Sequence, residues 1–137
     1  MDRRRAVAVL DASAVLALVR EERGADRVER AIWGGAVVSA ISWAEVLSDL
    51  AEAGQAVEIS GPRVTTVIEK VGTFELVPFD EAQAEQAARL RVPTKTLGLS
   101  LADRACLALG RLRRLPVLTT DRAWRSLHLS IRIEVIR

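Results

Sequence analysis

The chain has 137 residues, half of them hydrophobic and 28% charged, with a net charge of +2. A single domain of this length buries roughly two-thirds of its unfolded surface, and the composition excludes a disordered or low-complexity chain. The near balance of charge permits contact with a polyanion without demanding it. The one cysteine, Cys106, excludes an intramolecular disulfide and points to a reducing, cytoplasmic setting.

Residues 6–10, AVAVL, predict a short buried strand that ends at Asp11. The opening MDRRRAVAVLDASAVLALV imitates a secretory leader, but Asp11 interrupts its apolar body. A charge there opposes membrane insertion by about 2.5–3.5 kcal/mol, and no other uncharged run approaches the ~18 residues of a span. No membrane association is expected. Helical patterns follow over 12–22, stopping at Gly24, and over 25–33, stopping at Gly34-Gly35. AVVSA, 36–40, predicts the second strand, and 42–54 a helix closed by Gly54.

A helix beginning near Pro62 and running to Gly72 precedes FELVPF, 74–79, which alternates like a strand. Asp80 opens an amphipathic helix over 80–91, and Ser100 opens another over 100–114. PVLTT, 116–120, and IRIEVI, 131–136, complete the strands, with a short helical turn at RAWRSL between them. Strands alternating with helices of about ten residues predict an α/β fold with a central, mainly parallel sheet covered on both faces. Such sheets bind ligands beyond the carboxyl ends of their strands.

Four acids gather at strand ends and helix starts: Asp11, Glu45, Asp103 and Asp121. Two explanations stand at this point. Ser42-x-x-Glu45 and Ser100-x-x-Asp103 fit the capping box, and Asp11 and Asp121 fit N-caps, as does Asp80. Alternatively, strand ends from distant parts of the chain converge on one edge, where clustered carboxylates need a cation. Oxygen ligands without paired histidine or cysteine suit Mg²⁺ or Mn²⁺ rather than zinc. The lone His128 fits a surface or packing role.

The segments VLDASAVLALV, VSAISWAEVL, LGLSLADRACLALG and LPVLTTDRAW, in this order, resemble the VapC-type toxins of the PIN-domain ribonuclease family. The likeness extends over essentially the whole chain, 1–137, as one PIN domain. It implies a PIN-like three-layer α/β/α sandwich and an acidic pocket for Mg²⁺ or Mn²⁺. The family's acids fall on Asp11, Glu45, Asp103 and Asp121, and its accompanying polar positions on Ser13 and Thr119. Asp80 matches no catalytic position. A toxin of a type II toxin–antitoxin pair is implied, with RNA as substrate, a VapB-like antitoxin as partner and a homodimer as its assembly.

The implied reaction is metal-dependent hydrolysis of RNA phosphodiester bonds. Asp11 and Asp103 are the first choices as direct metal ligands. Glu45 and Asp121 either ligate or act through water, and Ser13 and Thr119 orient the carboxylates. The arginines of RRR (3–5) and RLRR (111–114), with Arg89, Arg91 and Lys95, are candidates for phosphate contact, against a plainly solvated surface. Trp33, Trp43 and Trp124 are candidates for base stacking or, more simply, for the core. An aspartate-based phosphatase would carry a second Asp where Ser13 stands, and a non-catalytic α/β binding module would use its acids only as caps. The apolar faces of helix 12–22 and of Leu101, Ala105, Leu109 and Leu112 supply surface for a dimer.

Overall fold

A computed structural model describes residues 5–137. In chain order its elements are β1 (Ala8–Leu10), α1 (Ala12–Val19), α2 (Ala25–Gly34), β2 (Ala36–Ser39), α3 (Ala40–Glu52), α4 (Val57–Val71), β3 (Phe74–Val77), α5 (Glu81–Arg89), α6 (Leu101–Arg113), β4 (Val117–Thr119) and β5 (Ile133–Val135). Single 3₁₀ turns occupy Lys95–Leu97 and Arg122–Ser126. The five strands form one sheet in the order β3-β2-β1-β4-β5, and every pair is parallel.

The central position of β1 explains its unbroken apolar run. Successive side chains of a strand point to opposite faces, so a strand covered on both faces must be apolar throughout. Val9 pairs in register with Val37 and with Val117, and the three pack beneath α5 and α6 with Leu107, Leu109 and Trp124. Ala8 and Leu10 face the other way and join Val38, Leu118, Val15, Ile32, Leu50 and Ile68 under α1 to α4. Helices therefore cover both faces of the sheet, which is the expected three-layer arrangement.

Three local expectations fail. Helix α3 starts at Ala40, capped by Ser39, whose side chain accepts from the N–H of Ile41 at 3.2 Å. Ser42 is thus a buried residue of the first turn, and Glu45 lies in the second turn with no capping box. The chain leaves β2 at Ser39, and the first residue able to cap starts the helix. Helix α4 begins at Val57, five residues before Pro62, which sits inside it. The carbonyl of Ala56 anchors that first turn, accepting from Ile59 and Ser60 N–H at 3.0 and 2.9 Å, so the helix is under way before proline removes one later backbone bond. Helix α1 ends at Val19 rather than Glu22, because Glu21 takes a left-handed conformation and the N–H of Glu22 turns back to the carbonyl of Ala17.

The chain enters β3 through Gly72, packed so closely on α2 that a Cβ there would lie 2.2 Å from the carbonyl oxygen of Ile32. Edge strand β5 is tied back by a two-pronged ion pair, in which Arg27 donates to both carboxylate oxygens of Glu134 at 2.6 and 2.9 Å. Among the described residues, no helix is long and apolar enough to cross a membrane.

Candidate active site at the carboxyl edge of the sheet

β1 and β4 end side by side, and the edge they share carries the polar residues. Asp11 is the N-cap of α1: its Oδ1 accepts from the Ala14 N–H at 2.8 Å and from the Ser13 hydroxyl at 2.7 Å. Ser13 Oγ in turn accepts from the N–H of Thr120 at 2.9 Å and lies 3.4 Å from Thr119 Oγ1. Thr119 Oγ1 accepts from the N–H of Asp121 at 3.1 Å. A continuous set of hydrogen bonds therefore runs from Asp11 across the sheet to Asp121.

Capping does not account for Asp11 alone. The residue is 6% exposed, and burial raises its pKa from 3.8 to about 6 against the lowering effect of Thr119, Ser13 and Ala14. The charge of Asp103 adds to the rise. A carboxylate that merely caps a helix is normally exposed and stabilised by the helix N-terminus. This one is held half-ready to ionise, beside another acid.

Asp103 stands at the start of α6, where the capping box with Ser100 is complete: each side chain accepts from the other's backbone N–H at 3.1 Å. Its location also raises the pKa of Glu45, whose shift comes first from partial burial, then from Asp103 and then from Asp49. The structure thus brings Asp11, Asp103 and Glu45 into one electrostatic neighbourhood. Asp121 is placed differently. It is exposed and caps the turn at Arg122–Ser126, its Oδ1 accepting from the Ala123 N–H at 3.0 Å. Beneath the acids lies Cys106, fully buried, its thiol pushed up by burial first and by the neighbouring Asp11 and Asp103 next. It is an inert floor.

A groove of about 400 Å³ opens beside Ser13 between α1 and α3, lined by Ala12, Leu16, Glu45, Ser48, Asp49 and Glu52. Asp49 and Glu52 were not singled out from the sequence, although they follow Glu45 at four and seven residues, the spacing of one helix face. Asp49 is paired with Arg20 at 3.1 Å. Of the tryptophans, Trp124 is core, Trp43 packs on Phe74 with ring centres 5.7 Å apart, and Trp33 is 70% exposed. His128 is exposed. Arg3 and Arg4 of the RRR run lie outside the described residues.

The donor set suits a hard, hydrated cation. Among the described residues, no three acids, histidines or cysteines close around a point that would hold a metal by themselves. Mg²⁺ does not need such a cage, because it keeps several waters and binds through one or two carboxylates together with substrate phosphates. Asp11 and Asp103 fit that pattern.

The α/β fold gathers acids at the carboxyl edge of its central strands, and the comparisons give it a family. Residues 8–128 match the PIN domain, and the chain belongs to this family, whose members are nucleases. Solved structures share the fold. A toxin-antitoxin complex from Klebsiella pneumoniae is 24% identical with a TM-score of 0.67, covering 88% of this chain and 92% of that one. DNA-bound VapBC from Salmonella typhimurium is 19% identical with a TM-score of 0.70, covering 95% and 98%. VapBC-5 from Mycobacterium tuberculosis, a member of the VapBC family of toxin-antitoxin systems, is 25% identical with a TM-score of 0.57, covering 97% and 99%. A search of curated proteins found no match.

Proposed function

We propose that the chain, as one domain, is the toxin of a VapBC-type pair in the cytoplasm and hydrolyses RNA phosphodiester bonds with Mg²⁺ or Mn²⁺. The observation that carries this reading is Asp11, a buried carboxylate with raised pKa at the carboxyl end of the central strand, coupled to Asp103. Asp11 and Asp103 would hold the ion, with Glu45 and Asp121 as further ligands, direct or through water. The ion, when bound, polarises the phosphate and makes water a better nucleophile. Ser13 and Thr119 fix the Asp11 carboxylate, so that it need not reorganise when the substrate arrives. Ser13 also occupies the position at which an aspartate-based phosphatase carries its second acid, which weakens that reading.

A VapB-like antitoxin is the proposed partner, since solved relatives of this fold are toxin–antitoxin complexes. A basic side chain seated in the groove of Glu45, Asp49 and Glu52 would compete with the ion for the acids. The proposed homodimer has less apolar surface than the sequence promised. Ala105 and Leu109 are buried in the chain's own core, as is most of α1, which leaves Leu101 and Leu112 exposed.

The test is cleavage of labelled RNA with and without EDTA, together with calorimetric titration by Mg²⁺ and Mn²⁺. Cleavage lost on chelation and restored by either ion supports the reading, whereas neither ion binding nor cleavage would leave only a binding module. Asp80 serves as the control acid, because its carboxyl caps α5 through the Gln83 N–H at 2.9 Å. Asp80→Ala should cost about 1 kcal/mol in thermal unfolding and leave the cleavage rate unchanged.

A further inference from the structure

The arginines of RLRR (111–114) are remote from the acids. Helix α6 carries Asp103 at one end and Arg113 at the other, and ten residues of helix put about 15 Å between them. Two adjoining cavities open there, at the amino ends of the strands. One, of about 690 Å³, is lined by Arg5, Gly35, Thr73, Glu75, Arg113 and Arg114. The other, of about 270 Å³, is lined by Arg111, Arg114, Ser130 and Arg132. Arg114 and Leu115 line both, so the two adjoin and form a divided groove along one edge of the sheet.

Five arginines from three separate segments line this groove, and Glu75 is the only acid lining it among the described residues. That carboxylate is engaged by Arg113 at 3.4 Å, and Arg5, Arg111, Arg114 and Arg132 form no ion pair among the described residues. The helix C-terminus explains part of this charge, but its dipole amounts to about half an elementary charge and favours cations only within the last turn. It does not explain Arg5 or Arg132. Arg114 also holds a left-handed backbone, φ 56° and ψ 46°, at a helix end where glycine is the ordinary choice. Like charges assembled from separate segments, with donor capacity unused, describe a receptor for an anion with several charges.

We propose that this groove is a second nucleic-acid contact, which holds backbone phosphates of an RNA chain at the edge of the sheet opposite the acids. It rests on RNA as the ligand and not on cleavage, so the two readings fail separately. Guanidinium groups spaced along an open groove suit a run of phosphodiesters, and Trp33, whose Cα lies against the Gly72 position beside Thr73, stands exposed near the rim.

The experiment measures binding of a 20-nucleotide single-stranded RNA to the full chain in EDTA over a range of salt. Arg111→Gln, Arg114→Gln and Arg132→Gln together should reduce the slope of log K against log salt by about 2, or about 0.7 for each phosphate no longer neutralised. A control triple at paired or isolated surface sites, Arg23→Gln, Arg30→Gln and Arg63→Gln, removes the same charge and should retain nearly the wild-type slope. Equal slopes for the two triples would overturn the proposal. Arg114→Gly separates binding from folding: it should raise the melting temperature by relieving the backbone while lowering the slope by about 0.7. Wild-type RNA binding in Arg114→Gly would also overturn it. If the wild type cleaves RNA and the triples bind alike, only the groove falls. If it cleaves nothing while the groove triple loses binding, the groove stands without the ribonuclease.

Discussion

Asp11→Asn should lower divalent-ion-dependent RNA cleavage by about a thousandfold or more and at the same time stabilise the ion-free protein. The two effects have one origin, a carboxylate buried where the proposed ion would offset its charge. Asn retains the cap, because its Oδ1 can still accept from Ala14 N–H and the Ser13 hydroxyl. It removes the charge that burial opposes. The folded-state pKa of Asp11, about 6, lies above its ordinary 3.8, so the native state binds the proton more tightly than the unfolded chain does. The contribution of Asp11 to stability is therefore fully present below pH 3.8 and is lost as pH rises through about 6, by about 3 kcal/mol in total. The Asn variant escapes that decline. Urea unfolding in EDTA should show the variant more stable at pH 7 and the difference gone by about pH 4. A variant that cleaves at the wild-type rate, or gains nothing at pH 7, would remove Asp11 from the centre of the site.

Gly72→Ala should cost about 3 kcal/mol or more and lower the melting temperature by about 10 °C or more. The φ of Gly72, −177°, is extended backbone that any residue adopts, so the expectation rests on space alone. Its Cβ would meet the Ile32 carbonyl at 2.2 Å, and that carbonyl already accepts from Gly35 N–H at 2.9 Å and Thr73 N–H at 3.2 Å. Either β3 leaves β2 or α2 shifts from beneath both. Gly61→Ala, inside α4, is the contrasting case, since the nearest atom to its Cβ is 3.9 Å away, in Leu47. It should raise stability by up to about 1 kcal/mol. If the two variants melt alike, close approach at Gly72 is not what holds that junction.

The sequence disclosed what local chemistry dictates. An acid inside an apolar run marked both the end of β1 and the candidate site, and Ser100-x-x-Asp103 announced the capping box that formed. It misled where two residues competed for one task. Ser39 and Ser42 are both good caps, and only the point at which the chain leaves the sheet selects Ser39, which moves Glu45 into the second turn. Pro62 reads as a helix start, yet helix α4 absorbs it because the carbonyl of Ala56 already secures the turn before it. The distal arginines were legible as charge, but their grouping with Arg5 and Arg132 depends on which segments the parallel topology brings to one edge.

Ser13 and Thr120 are hydrogen-bonded across 107 residues, and β1 lies between β2, close in sequence, and β4, remote from it. During synthesis at about 5–20 residues per second, β1 emerges many seconds before the strand that completes its second flank. Until β4 arrives, Ser13 lacks its donor from Thr120 and the Asp11 carboxylate lacks the Thr119 hydroxyl. Pairing at such long separation is also slow to form. A truncated or stalled chain ending before β4 therefore carries the Asp11 motif and its local cap but lacks the hydrogen bonds that tie it to Thr119 and Thr120. On the proposed reading, a message broken within this frame would yield a product without Thr119 and Asp121, and an antitoxin translated alongside would have that elongation time to be present before the site is complete.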